Sequence, residues 1–80
     1  MSQDTKYNDR LIKLGLNVSY YRRYKNITQQ QLAENIGMSR DSIAKLEAPD
    51  VHAGTSLKAL FKIADHLGVP PSKLLEFRDE

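Results

Sequence analysis

Eighty residues with 40% apolar and 28% charged side chains bound a single small domain with one core, and exclude a disordered or membrane-spanning chain. With no cysteine, disulfides and thiolate metal sites are excluded as well, so stability must come from packed helices, in keeping with a reducing cytoplasm. A formal net charge of only +2 means that a nucleic-acid partner would have to be recognised through where the charges lie, not through their sum.

The opening stretch MSQDTKYNDR is polar, without the apolar run of an export signal, and residues 1–7 are predicted to form a flexible arm. A first helix is expected from Asn8 or Asp9 to about Lys25, because Leu11, Leu14, Val18 and Tyr21 recur at helical spacing on one face. Gly15 lies inside it. Since glycine costs a helix about 1 kcal/mol relative to alanine, it is read as marking a close helix contact. Tyr20, Tyr21 and Tyr24, interleaved with Arg22, Arg23 and Lys25, resemble a stacking platform for single-stranded nucleic acid, but a helix splits them across faces. Tyr21 is assigned to the core by its period, and Tyr20 and Tyr24 to partial cover or a partner contact.

Thr28 opens a second helix. Its hydroxyl can accept a backbone N–H of the first turn while Gln31 reaches back, the capping-box arrangement. Leu32, Ala33 and Ile36 form the inward face, and Gly37 is placed where a helix ends in a left-handed residue. Ser39 then caps a third helix whose Ile43 and Leu46 pack against Leu32 and Ile36, with Ala33 at the closest crossing. Arg40, Asp41, Ala44 and Lys45 are left facing outwards.

Ala48 to Thr55 is a loop holding Pro49, Asp50 and His52. A fourth helix is expected from about Ser56 to Leu67, with Leu57, Leu60, Ile63, Ala64 and Leu67 as core and Gly68 as the stop. His66 lies off that stripe and is read as solvated; a metal or acid–base cluster of His52 and His66 with Asp50 or Asp65 has no spacing signature in its favour. Pro70 and Pro71 restart the chain into a last helix from Ser72 to about Phe77, whose Leu74 closes the core. Residues 78–80 form a tail after a domain spanning 8–77.

Thr28-Gln29, Leu32-Ala33, Ile36-Gly37, Ser39, Ile43 and Leu46-Glu47 together resemble, position by position, the phage-repressor and Cro-like helix-turn-helix regulators, also called the xenobiotic-response-element family. The resemblance runs from about Leu14 to Leu75, including a glycine at the place of Gly15. It implies an all-α, compact five-helix lambda-repressor-like fold in which Arg22 and Glu47 form a partly buried bidentate ion pair locking the first helix to the third; direct phosphate contact by Arg22 is the alternative. It places Ser39, Arg40, Asp41 and Lys45 at base edges in the major groove, with Ser42 and Ala44 peripheral, Ser42 towards the backbone. Arg40 suits a guanine edge; Asp41, able only to accept when ionised, suits cytosine or adenine and repels phosphates nearby. Gln29 corresponds to a position that bonds a phosphate and braces the recognition helix, and Thr28 with the helix N-terminus adds a second anion contact. The loop after Glu47 departs from the family pattern: Pro49 and Asp50 stand where a glycine and basic residues are common, and His52 is its one candidate cation, which puts backbone anchoring there in question. In related regulators the end of the domain is a self-association surface, making Leu75 and Phe77 candidate dimer contacts; folding back onto the core is the alternative.

No catalytic constellation is recognisable: there is no G-x-S-x-G, no phosphate-cradling glycine loop and no matched carboxylate pair, so the chain is read as a non-enzyme without cofactor or metal. The expected function is sequence-specific binding of double-stranded DNA by a cytoplasmic homodimer on an inverted repeat, acting as a transcriptional repressor. The rival is an antitoxin-like helix-turn-helix module whose main partner is a protein and whose DNA binding is secondary.

Overall fold

The structure, a computed structural model, describes residues 2–51 and 53–77. His52, the loop's candidate cation, and the expected tail at 78–80 lie outside them. Five helices and no strand are present among the described residues: α1 (Ser2–Tyr24), α2 (Gln29–Ile36), α3 (Arg40–Glu47), α4 (Leu57–Leu67) and α5 (Pro71–Leu74). The fold is the all-α, five-helix arrangement that the sequence predicts.

Helix α1 is longer than expected, starting at Ser2 where a flexible arm was predicted. Neither proline nor glycine interrupts residues 2–10, and once the packed part of a helix exists, each added turn needs no new nucleation. Arg10 supports this extension by lying over the Tyr7 ring, 5.6 Å from its centroid. Asn26, in the left-handed region at φ 59°, then turns the chain towards α2.

The caps of α2 and α3 form as their residue types dictate. Thr28 accepts from the Gln31 N–H at 3.0 Å while its own N–H donates to Gln31 Oε1 at 2.8 Å. Gly37 closes α2 at φ 73°, a backbone conformation that would strain any residue carrying a Cβ. Ser39 caps α3 by accepting from the Ser42 N–H at 3.1 Å.

The core is one cluster: Leu14 and Val18 of α1; Leu32, Ala33 and Ile36 of α2; Ile43 and Leu46 of α3; Leu60, Ile63, Ala64 and Leu67 of α4; and Leu74 of α5. Helix α3 lies between α2 and α1, α4 covers the far side of α2, and α5 closes the space between α4 and α1. Leu57, expected in the core, is instead 65% exposed. It falls on the edge of the α4 stripe, on the side of Phe61, which is also exposed.

The last helix is shorter than predicted, covering Pro71–Leu74 and not reaching Phe77. Asn17 of α1 accounts for the early stop. Its side-chain amide donates to the Leu74 carbonyl at 2.9 Å and to the Glu76 carbonyl at 3.0 Å, supplying the partners that further helical turns would have provided. Phe77 consequently folds back against the core, whereas Leu75 stays exposed.

Candidate nucleic-acid interface

The position of α3 is fixed by one polar node and one close contact. Arg22 donates through Nε to Glu47 Oε2 at 2.7 Å and through Nη2 to Glu47 Oε1 at 2.8 Å, so the two groups meet in a fork, both almost fully buried. The remaining guanidinium nitrogen, Nη1, donates to the Ile27 carbonyl at 2.7 Å, and Gln29 Nε2 donates to Glu47 Oε1 at 3.0 Å. One arginine therefore ties α1, the α1–α2 turn and the end of α3 together, while Gln29 adds the start of α2. Such a pair costs desolvation on both sides, and the Ile27 and Gln29 contacts reduce that cost by satisfying groups the fork leaves free. The bracing by Gln29 reaches α3 through Glu47, a route not apparent from spacing alone.

Gly15 supplies the close contact. A Cβ there would collide with the Leu46 carbonyl oxygen and lie 3.0 Å from the Leu46 carbonyl carbon and 3.3 Å from Glu47 Cα. The obstructing atoms are all backbone, so α1 and α3 approach this closely only because residue 15 has no side chain.

With its inner face held in this way, α3 presents Arg40, Asp41 and Lys45 to solvent. Asp41 and Lys45, separate in the sequence reading, meet as an i, i+4 ion pair at 3.1 Å, their side chains 74% and 62% exposed. An exposed helical pair of this kind is worth only about 0.3–0.5 kcal/mol, so it opens readily when either group is offered a better partner. Ser39 and Ser42 share a hydroxyl contact at 2.8 Å in addition to the cap, which orients both hydroxyls at the start of α3. Ala44 is half-buried. Thr28 and Gln29 stand at the start of α2, Thr28 committed to its cap and Gln29 to Glu47.

Two arrangements escaped the sequence reading. Asn17, the clamp on the α5 end, carries no motif and could not have been found from spacing. Lys58 and Lys62, one turn apart on α4 and off its apolar stripe, had a visible signal in their i, i+4 spacing. They border a cleft of about 480 Å³ with Ser42 and Lys45 of α3. His66 is exposed and meets the Asn35 side-chain amide at 3.1 Å. Among the described residues, no helix is long and apolar enough to cross a membrane.

Two short helices joined by a turn of left-handed Gly37, the second capped and outward-facing, define a helix-turn-helix unit. Residues 18–74 match the helix-turn-helix family HTH_3. The chain belongs to this family, in its Cro-like form. It is also similar to an uncharacterized HTH-type transcriptional regulator of Methanocaldococcus jannaschii, with 36% identity over 63 residues that cover 79% of this chain and 92% of that protein.

Proposed function

We propose that this protein is a sequence-specific regulator of transcription that binds duplex DNA with α3 in the major groove, and that it acts as a repressor by occupying a promoter. The carrying observation is that α3 is locked on its inner face by Arg22, Glu47 and Gln29 while Arg40, Asp41 and Lys45 stay solvent-facing: among the described residues Asp41 and Lys45 pair only with each other and the Arg40 side chain with none. A rigid helix with free polar side chains is what base reading requires, because ordering the reader on binding would subtract from affinity. Arg40 pairs with a guanine edge, and Asp41 accepts from cytosine or adenine once its ion pair with Lys45 opens. Ser39 and Lys45 complete the base-facing set; Thr28, Gln29 and Ser42 lie towards the backbone.

Eight residues of α3 span about 12 Å, enough for roughly four base pairs, too few to specify a promoter among a genome's competing sites. A homodimer on an inverted repeat doubles the site, and Leu75, exposed at the domain end, offers apolar area for the contact, with Phe77 contributing less because it is turned inward. A second reading, a module whose main partner is a protein, is favoured by one feature: Leu16, Tyr20 and Tyr24 form an exposed stripe along α1, with the Tyr20 and Tyr24 rings stacked at 6.5 Å.

The test is selection of bound duplexes from a random pool, followed by salt titration on the winning sequence. The DNA reading expects an inverted repeat and a steep salt slope, with the repeat altered by Arg40→Ala. Sequence-blind, weak retention would move the assignment to the protein-partner reading.

A further inference from the structure

The tyrosines of α1 have no role in reading DNA, yet two of them help to build a cleft. Leu16, Asn17, Tyr20 and Tyr21 of α1 face Lys73 of α5 and Glu76 just beyond it across about 590 Å³, within the size range of small-molecule sites. Tyr21 is half-buried and packs against the core, which makes it the floor. Tyr20 stands at 83° to it with ring centroids 5.0 Å apart, so the two rings form a corner. Tyr24, outside the cleft, lies nearly parallel to Tyr20 at 6.5 Å and supports that ring. Leu16 and Tyr20 remain 49% and 63% exposed, so the corner leaves apolar surface in water.

The polar side of the cleft is equally defined. Asn17 commits its amide nitrogen to the Leu74 and Glu76 carbonyls, so the capacity its side chain has left is the oxygen, an acceptor. Lys73 and Glu76 pair at 3.6 Å, longer than the roughly 2.7–2.9 Å of a strong charge-assisted bond. Both side chains are largely exposed, and the pair opens at little cost. Glu76 is the acid and Lys73 the base of the lining, which is therefore neutral as a whole. An ion of either sign would meet a like charge there. A zwitterion with an apolar body meets an opposite charge at each of its own, and an α-amino acid carries both charges on the same carbon, as close together as Lys73 and Glu76 require.

We propose that this cleft binds a free α-amino acid with an apolar side chain. Glu76 and the Asn17 oxygen accept from its ammonium, Lys73 donates to its carboxylate, and its side chain covers Leu16 and the corner of Tyr20 and Tyr21. No residue of α3 lines the cleft, so an occupied site leaves the outer face of that helix uncovered. The site stands independently of the DNA-binding reading.

The test titrates the isotope-labelled full chain with L-phenylalanine and L-leucine and follows the backbone amides by NMR. Saturable shifts are expected at Leu16, Asn17, Tyr20, Tyr21, Lys73 and Glu76, half-complete at about 0.1–1 mM as suits a small ligand in an open cleft. Phenethylamine, which lacks the carboxylate, and 3-phenylpropionate, which lacks the ammonium, should each bind about tenfold more weakly. Glu76→Gln and Tyr20→Ala should each weaken L-phenylalanine by about tenfold without lowering the melting temperature, since both side chains are exposed. Phenethylamine or 3-phenylpropionate binding as tightly as L-phenylalanine would make the cleft a site for a simple ion and overturn the proposal. It is equally overturned if neither amino acid gives saturable shifts up to about 10 mM, or if both variants bind like wild type. The exposed rings would then be left to a protein partner.

Discussion

Replacing Gly15 by alanine separates two opposite accounts of that glycine by the sign of one measurement. If Gly15 were merely a weak point in α1, alanine would stabilise the helix by about 1 kcal/mol. The structure predicts the reverse. The new Cβ would collide with the Leu46 carbonyl oxygen and sit 3.0 Å from its carbon and 3.3 Å from Glu47 Cα, whereas unstrained carbon contacts lie at about 3.5–4.0 Å. No side-chain rotation relieves the overlap, so α1 and α3 must separate, moving Glu47 away from Arg22. Overpacking typically costs about 1–3 kcal/mol, and with rigid backbone on the receiving side the upper end applies. Subtracting the propensity gain leaves a net loss of about 2 kcal/mol, which for a domain of this size lowers the melting temperature by about 8–16 °C. Circular dichroism at 222 nm against temperature reads this directly. A Gly15→Ala variant melting at or above the wild-type temperature would refute the close-contact account.

Removing one member of the buried pair should be far more damaging than removing both. Arg22→Ala leaves the Glu47 carboxylate with Gln29 alone and should cost about 3–5 kcal/mol in urea denaturation, whereas Arg22→Leu with Glu47→Leu should recover much of that loss. A single variant within about 1 kcal/mol of wild type would contradict the pair's role. Leu57→Ser, at a position 65% exposed, should change stability by no more than about 0.5 kcal/mol, while Leu60→Ser, at 4%, should cost several-fold more in the same melts; equal effects would show that Leu57 is packed after all.

Local signals in the sequence translated well where a residue acts on its own neighbourhood. Thr28 with Gln31, Ser39, and Gly37 each decide a helix end within a few residues, so their reading needed no knowledge of the rest of the molecule. Gly15 was legible because its cost to the helix demands a compensating contact. What escaped depends on where one element ends beside another. The apolar period of α4 indicates which face turns inward, not where its neighbours stop, and so Leu57 was assigned to a core that does not extend to it. Phe77 turned inward because Asn17, more than fifty residues away in sequence, holds the Leu74 and Glu76 carbonyls, a link no local pattern reveals. Within the candidate interface, the polarity of α3's outer face and the i, i+4 spacing of Asp41 and Lys45 could be read from the sequence, but the gathering of Lys58 and Lys62 with Lys45 around a common cleft required three-dimensional placement.

The contacts that set α3 against α1 and α2 lie on the side away from its outer face: Gly15 beneath Leu46, and Arg22 and Gln29 around Glu47. Arg40, Asp41 and Lys45 take no part in them. Mutations at those three positions should therefore have little effect on folding, so that on the proposed reading of DNA by α3 a lineage could exchange one target sequence for another by small steps without passing through an unstable intermediate. On the same proposed reading, α3 would be the place to install a chosen specificity, since a library varying only its outer face would consist almost entirely of folded members.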